Sequence, residues 1–265
     1  MRFGLILPVL LFFLAACQTH DPRGVASDGE TIRYKVAGTE HIGFIASGAK
    51  PGEKKPGVII VHEWWGLNDY ARSRAKQLAD LGYVAMAVDM YGGGKIATHP
   101  GDAGAFSKKA MSDFPLAKKR FEEAMTILKA RPDVDPDKIV AIGYCFGGAV
   151  VLNMARAGVD LDLIASFHGS LASPMKAKPG VIKGKVLVFN GKADPFVKKE
   201  DIAAFKKEMK VAHVNFEFFN YEGAKHAFTN KGADEYGKKF KIPLAYNQKA
   251  DADSWSQFIK ALKTL

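Results

Sequence analysis

The sequence predicts an α/β fold: a mostly parallel central sheet with helices on both faces. Short apolar runs rich in β-branched residues, such as Val58–Val61 and Leu163–Phe167, alternate along the chain with segments whose apolar residues have helical spacing. Continuous apolar runs are typical of strands buried on both faces, and their alternation with helices is typical of parallel sheets. The 265 residues, 48% apolar and 25% charged, can form a full core. Because no linker interrupts the alternation, residues 31–265 are predicted to form one domain.

Each element has its own sequence signal. In the first half, the predicted strands are Ile32–Tyr34 paired antiparallel with His41–Ala46, then Val58–Val61 and Tyr83–Val88. The predicted helices run from Asp69 to about Leu81 and from about Pro115 to Ala130, and 91–113 is a Gly-rich connection. In the second half, the predicted strands are Ile139–Ile142, Leu163–Phe167, Val186–Asn190 and Val214–Tyr221. The predicted helices are Gly147–Arg156, Ile202–Met209 and about Asp251 to Leu262. Asp69 is expected to cap the first helix and Gly82 to end it. Ligands of such sheets bind beyond the carboxyl ends of the strands, so functional residues are expected in the turns that follow strands.

Residues 1–16 are predicted to be a signal peptide. A basic start is followed by the apolar run Phe3–Leu14, which is too short for an ordinary membrane span. Small residues precede Cys17, as at a signal-peptidase site, and this arrangement resembles the bacterial lipobox, in which the Cys is lipidated. An ordinary cleaved export signal with an incidental Cys is the alternative. Residues 17–30 are then a polar tether.

These signals predict an exported, periplasmic protein with a lipid anchor in the bacterial outer membrane, because Gln18 resembles the sorting residue of outer-membrane lipoproteins. The membrane is therefore a predicted partner, through the anchor. The formal charge of +10 comes from scattered basic residues without Arg–aromatic interleaving. That pattern is typical of a solvated surface and argues against nucleic-acid binding. We expect a monomer.

The chain has two cysteines, and the processing site accounts for one. Cys145 is then a single thiol in an oxidising compartment, with no partner for an intramolecular disulfide. One reading is a small buried hydrophobic residue. The other is a catalytic nucleophile.

The segment Gly143–Gly148, Gly-Tyr-Cys-Phe-Gly-Gly, lies between a predicted strand and a predicted helix. It has the G-x-S-x-G form of a nucleophile elbow with Cys in place of Ser. Such a turn holds the central side chain at the top of the sheet and requires small neighbours. It also directs the Phe146 N–H, at a helix N-terminus, towards the position of an oxyanion.

Two further residue types complete this pattern. Asp194 follows a strand and a Gly turn, and His226 lies on the loop after the last strand. Taken alone, Asp194 could cap the following helix and His226 could be incidental. The chain order nucleophile, acid, base is that of α/β-hydrolases. The sequence therefore predicts an α/β-hydrolase fold with Cys145, His226 and Asp194 as nucleophile, base and orienting acid.

Other motifs do not support other chemistry. His62-Glu63 could open an H-E-x-x-H zinc motif, but Gly66 stands where its second His is needed. The run Gly92–Gly94 lacks the Ser/Thr and the helix of a phosphate loop. We therefore expect no metal and no cofactor. His168-Gly169-Ser170 is predicted to be a structural turn, with a pocket wall as the alternative.

At these motifs the chain resembles the dienelactone hydrolase family. The matching segments are His62–Asn68, Gly143–Gly148, Gly191–Asp194 and Gly223–Phe228, and the resemblance covers residues from about 30 to the end. The resemblance implies that Glu63 contacts the thiol in the resting enzyme. It also implies that substrate binding breaks this contact, and that the thiol then becomes a thiolate paired with His226. It also implies a second oxyanion donor, the Trp64 N–H. Trp65 and Phe228, inside the matching segments, are expected to bind substrate.

Two positions depart from the family pattern. Ala227 and Asn230 stand where dienelactone-cleaving members have Ser and Arg, and that Arg grips the substrate carboxylate. A neutral or bulkier ester, lactone or thioester is therefore expected as the small-molecule substrate. The predicted activity is hydrolysis of an ester or lactone bond through a Cys-His-Asp triad and a thioester acyl-enzyme. A thioesterase or general carboxylesterase, and a non-catalytic lipid-anchored binding protein on a retained hydrolase fold, are the alternatives.

Overall fold

The computed structural model describes residues 29–265. The predicted signal peptide, Cys17 and all but the last two residues of the predicted tether lie outside this range, and Glu30 already begins the first strand. No helix within residues 29–265 is both long and apolar enough to cross a membrane.

The described chain alternates strands and helices in an order that the sequence largely predicts. The strands are β1 Glu30–Val36, β2 Thr39–Ser47, β3 Lys55–Val61, β4 Val84–Val88, β5 Val134–Tyr144, β6 Leu163–Phe167, β7 Lys185–Gly191 and β8 Phe216–Tyr221. The helices are α1 Asp69–Asp80, α2 Pro100–Ser112, α3 Phe114–Lys129, α4 Phe146–Arg156, α5 Lys199–Val211, α6 Ala233–Phe240 and α7 Gln248–Leu262.

These strands form one sheet in the order β1-β2-β4-β3-β5-β6-β7-β8. β1 and β2 pair antiparallel, β2 lies antiparallel to β4, and every other pairing is parallel. The predicted α/β-hydrolase fold is confirmed. Because β3, β5, β6, β7 and β8 are parallel neighbours, their carboxyl ends lie along one edge of the sheet, and the turns that follow them can share one site.

Helices cover the sheet on both sides, and the side chains of β3 show this directly. Ile59 and Val61 join one buried apolar cluster, with Phe121 of α3. Val58 and Ile60 join another, with Leu78 of α1. All four β3 side chains have no exposed surface. The continuous apolar run thus has the two-sided burial that the sequence predicts.

Two helices were not expected. The Gly-rich connection 91–113 contains α2, and α6 lies within a segment left without assignment. α2 begins with Pro100 at its first turn, and the side chain of His99 accepts the Gly101 N–H. Its described buried residues are Ala103 and Ala110, so its apolar stripe is too weak to predict a helix.

The start of α1 differs from the prediction by one residue. Asn68 has the extended backbone of an N-cap, and Asp69 is the first helical residue. The carboxylate of Asp69 therefore lies in the first turn, where a negative charge is favourable beside the helix dipole.

Candidate active site

The turn from β5 to α4 holds Cys145 in a strained conformation, with φ 54° and ψ −113°. Positive φ is uncommon for a residue with a side chain and marks a backbone that its surroundings fix. Glycines make room for it. A Cβ on Gly143 would lie 2.0 Å from the Gly147 carbonyl oxygen, and one on Gly147 would lie 2.2 Å from the Val61 carbonyl oxygen. The sequence pattern of the elbow thus follows from close backbone contacts.

The three residues predicted from chain order lie in one hydrogen-bonded chain. His226, on the loop after β8, has Nε2 3.0 Å from the Sγ of Cys145. Its Nδ1–H donates to Oδ2 of Asp194, after β7, at 2.7 Å. The second oxygen of Asp194 accepts the Phe196 N–H at 2.8 Å, which fixes the orientation of the carboxylate. The three residues of the predicted triad thus come from the ends of three strands.

The charges around His226 favour its protonated form. Burial alone would lower the pKa of His226, but the charge of Cys145 and the hydrogen bond to Asp194 raise that pKa to about 10. A charged sulfur 3.0 Å from Nε2 thus favours the protonated form of the imidazole. A thiolate paired with an imidazolium is the reactive form of a cysteine nucleophile.

Glu63 lies beside this chain in a different arrangement from the one that the resemblance implies. Its side chain is buried, and its Oε2 accepts from Nδ2 of Asn230 at 2.7 Å. The Sγ of Cys145 is bonded to His226 instead. Burial raises the pKa of Glu63 to about 7, against the opposing effects of Asn230 and His226. In this conformation the Asn230 amide holds the carboxyl group, and the contact between Glu63 and the thiol stays a prediction.

The two predicted oxyanion donors lie at the same pocket as the thiol. Phe146 is the first residue of α4, where a helix leaves its N–H groups without an acceptor in the helix. Trp64 lies in the turn after β3, and its carbonyl oxygen accepts the Tyr91 hydroxyl at 2.9 Å. That bond fixes the peptide plane next to the Trp64 N–H.

The pocket that contains Cys145 and His226 has a volume of about 340 Å³. Its walls are mainly apolar, formed by Trp64, Phe146, Phe196, Val197, Ile242 and Leu244. Ser107 of α2 and Ser170 add hydroxyl groups. A small apolar cavity with a few polar groups at one end is typical of a site for a small organic molecule.

Two residues expected to bind substrate lie elsewhere. Trp65 is 2% exposed and stacks on Tyr236 of α6, with ring centroids 4.5 Å apart. Phe228 has no exposed surface and packs edge-on against His168 at 5.2 Å. Both predictions of substrate contact are wrong, because these rings fill the protein interior, where they support the neighbouring loops. The adjacent Trp64 lines the pocket instead.

His168 has a role that sequence reasoning missed. The chain bends at His168 and Ser170 lines the pocket, which fits the alternative of a pocket wall, and the buried His168 imidazole accepts the Cys145 N–H through Nδ1 at 3.1 Å. Burial and the charge of His226 hold the pKa of His168 well below its usual range, so the ring is neutral and Nε2 carries its proton. That N–H donates to the Thr229 hydroxyl at 2.7 Å, which is 2.6 Å from the Tyr70 hydroxyl. A His after a strand was the available signal, but its partners lie far away in the chain.

A larger cavity of about 630 Å³ lies between α1 and α7. It is lined by Tyr70, Arg74 and Trp255 but not by Cys145, His226 or Asp194. The guanidinium of Arg74 is already bound to Asp251 at 2.6 Å. We place the chemistry in the smaller pocket, because the thiol and the imidazole open there.

Comparison with known proteins agrees with this fold. The sequence profile of the dienelactone hydrolase family matches residues 42–265. The chain is 31% identical over 231 residues to the protein usf of Aquifex pyrophilus, covering 83% of this chain and 95% of that protein. It is 26% identical over 247 residues to a carboxymethylenebutenolidase homologue of Aquifex aeolicus, covering 89% and 98%.

Solved structures give the same result. The crystal structure of a dienelactone hydrolase-like promiscuous phosphotriesterase from metagenomic libraries superposes with a TM-score of 0.84 at 33% identity, covering 91% of this chain and 99% of that one. An α/β-hydrolase from a deep-sea metagenome shares the fold at 16% identity, with a TM-score of 0.65 and coverage of 89% and 99%. The architecture and site define an α/β-hydrolase. More narrowly, the chain belongs to the dienelactone hydrolase family, and it is a carboxylic ester hydrolase.

Proposed function

We propose that this protein hydrolyses an ester or lactone bond through Cys145, His226 and Asp194, with a thioester acyl-enzyme as intermediate. The observation that supports it most is the continuous chain of contacts, 3.0 Å from Sγ to Nε2 and 2.7 Å from Nδ1 to Oδ2. His226 is placed to take the proton of Cys145, because its Nε2 lies 3.0 Å from the sulfur.

In the first half-reaction the Cys145 sulfur attacks the carbonyl carbon. The carbonyl electrons move to oxygen, which accepts hydrogen bonds from the Phe146 and Trp64 amides. As the intermediate collapses, the carbon–oxygen bond breaks, and the leaving oxygen takes the proton from Nε2 of His226. A thioester on Cys145 and a neutral imidazole remain.

In the second half-reaction a water molecule gives a proton to Nε2 of His226 and attacks the thioester carbon. Collapse breaks the carbon–sulfur bond, which releases the carboxylic acid and restores the thiolate and the imidazolium. Asp194 accepts from Nδ1 throughout, so it keeps the ring in one tautomer and stabilises its charged form.

Acyl trapping tests the nucleophile directly. The purified protein is mixed with an activated aryl ester, quenched in acid and analysed by peptide mass spectrometry. We expect the acyl group on the Cys145 peptide and on neither peptide carrying the pocket hydroxyls Ser107 and Ser170. Cys145→Ala is expected to lose the acyl adduct and nearly all turnover. Full turnover by Cys145→Ala would refute the proposal.

Acyl trapping together with a substrate panel separates the alternatives. A thioesterase or general carboxylesterase would also acylate Cys145 but would prefer acyl-thioesters or simple esters to lactones in a substrate panel. A non-catalytic binding protein would give neither adduct nor turnover.

We also propose that the protein is exported and lipidated at Cys17, on the support of the sequence motif alone. Expression in a Gram-negative host with a labelled fatty acid tests this. Label in the wild-type band and its loss in Cys17→Ala would support the proposal, and an unlabelled, fully secreted wild-type protein would contradict it.

A further inference from the structure

A first indication of the substrate class is the charge of the side chains that line the catalytic pocket. Among the described residues that line it, none is Lys, Arg, Asp or Glu. Lysines adjoin two of these residues in the sequence, Lys198 after Val197 and Lys241 before Ile242, but both are exposed and neither lines the cavity. A bound substrate therefore meets aliphatic and aromatic side chains and, away from the reacting atoms, only hydroxyl groups.

Phe196 gives a second indication at the pocket wall. Its ring is 54% exposed although it is a large apolar side chain, and it stands edge-on to the His226 ring at 5.1 Å. Exposed apolar surface that is continuous with a pocket is typical of a contact site for an apolar group. An apolar substituent in the pocket would cover Phe196 and shield the imidazole from water at the same time.

The charges of the reacting groups also favour an uncharged substrate over one with a carboxylate. Cys145 and His226 share one proton between the sulfur and Nε2, so this pair has no net charge wherever the proton lies, and the Asp194 carboxylate adds one negative charge. A carboxylate on the substrate would lose its water without gaining a cationic partner, close to that negative charge. Both effects oppose its binding.

We propose that this pocket selects esters with an uncharged, apolar acyl or alkoxy group and rejects those with a carboxylate close to the scissile bond. This inference rests on the proposed hydrolysis at Cys145. It assigns Phe196 and Ile242 as specificity-determining residues, because they form the wall where a cation would otherwise be needed.

Matched esters test the selection. We compare para-nitrophenyl isocaproate with mono-para-nitrophenyl succinate, which have acyl groups of the same size and branching, and include the neutral amide para-nitrophenyl succinamate. Spontaneous hydrolysis is subtracted for each. We expect kcat/KM to favour isocaproate over succinate by about 100-fold, with succinamate between them. A preference of less than about tenfold, or any preference for succinate, overturns the inference.

A charge placed on the wall should change this ratio. Phe196→Lys puts a cation at an exposed pocket position and is expected to reduce the isocaproate preference at least about tenfold, mainly through faster hydrolysis of the succinate ester. Val211→Lys is the matched control, since Val211 is 63% exposed and lies outside the pocket. Equal ratios in the two variants would contradict the assignment. If Phe196→Lys lowers the melting temperature strongly, Ile242→Lys repeats the test from a second residue of the pocket wall.

The acyl-trapping result separates the two proposals. Acylation of Cys145 by the succinate and isocaproate esters at equal rates leaves the hydrolytic mechanism intact and overturns only the selection. If no ester acylates Cys145, the proposed function fails, and the inference fails with it.

Discussion

Replacing Asp194 with Asn changes one atom of the site and tests the geometry sharply. In the wild type, Oδ1 of Asp194 accepts the Phe196 N–H at 2.8 Å and Oδ2 accepts the His226 Nδ1–H at 2.7 Å. An Asn side chain has one acceptor and one donor end. If its oxygen keeps the bond to Phe196, its NH2 group faces Nδ1, which must then lose its proton. The proton moves to Nε2, and the neutral ring can no longer take the proton of Cys145.

The alternative orientation is also unfavourable. Turning the Asn oxygen towards His226 sets its NH2 group against the Phe196 N–H, so that two donors face each other at a partly buried position. An unsatisfied donor of this kind costs about 1–3 kcal/mol, which reduces the productive population by about 5- to 150-fold. The loss of the carboxylate charge next to the imidazolium reduces activity further. We expect kcat/KM of Asp194→Asn to fall about 10³- to 10⁴-fold, in line with the effect of this change in serine proteases.

The assay is hydrolysis of a small neutral aryl ester, with melting temperature as the test of folding. Asp201→Asn, a change of the same type in the first turn of the surface helix α5, is the control and should leave kcat/KM within about twofold of wild type. The second measurement is alkylation of Cys145, which should slow in Asp194→Asn at neutral pH because the sulfur keeps its proton. A folded Asp194→Asn protein with kcat/KM within about tenfold of wild type would refute the tautomer argument.

Three further predictions follow from other contacts. Against the lowering effect of burial, the charge of Cys145 and the hydrogen bond to Asp194 raise the pKa of His226 to about 10. Cys145→Ala removes the first of these charges, so the pKa of His226, followed by NMR titration, should fall clearly below the wild-type value; an unchanged pKa would count against the contact between sulfur and imidazole. Thr229→Val removes the acceptor of the buried His168 Nε2–H and should lower the free energy of unfolding by about 1–3 kcal/mol, which corresponds to a fall in melting temperature of roughly 2–12 °C. An unchanged melting temperature would count against this bond. Gly143→Ala should prevent folding, because the new Cβ would lie 2.0 Å from a backbone oxygen. The control Gly104→Ala in α2, where the Cβ has open space, should fold, and its free energy of unfolding in chemical denaturation should rise by up to about 1 kcal/mol. A normally folded Gly143→Ala protein would contradict the packing argument for the elbow.

The parts of the fold and site that the sequence predicts are those with strong local signals. A buried parallel strand such as Val58–Val61 is apolar throughout, and the elbow requires glycines at fixed spacing around Cys145. The chain order of Cys145, Asp194 and His226 then suffices to predict their meeting, because parallel strands end at one edge. These features depend on residues close together in the chain or on a rule of topology.

The parts that the sequence did not predict depend on contacts between distant residues. Glu63 is bound to Asn230, 167 positions later, and nothing near Glu63 indicates that partner. The choice between Trp64 and Trp65 as pocket residue depends on where α6 packs, and α6 itself has only one described fully buried residue, Ala233. A weakly patterned helix that is stabilised by its neighbours leaves little trace in its own sequence.

The segment 226–230 explains why the remaining site residues hold their positions. His226 binds the thiol, Thr229 binds His168 behind the elbow, and Asn230 binds Glu63 in the turn that carries Trp64, the second proposed oxyanion donor. The loops after β3, β5 and β6 are thus each tied to this one segment by a bond between side chains. The strain of the elbow, with positive φ at Cys145, is held by the same connections, because the Cys145 N–H donates to His168 as well as to the Phe167 carbonyl oxygen. The two departures from the family pattern, Ala227 and Asn230, both lie in this segment. Changes there therefore affect the position of the nucleophile, the base and Glu63 together, which a change in a pocket wall such as Ile242 does not.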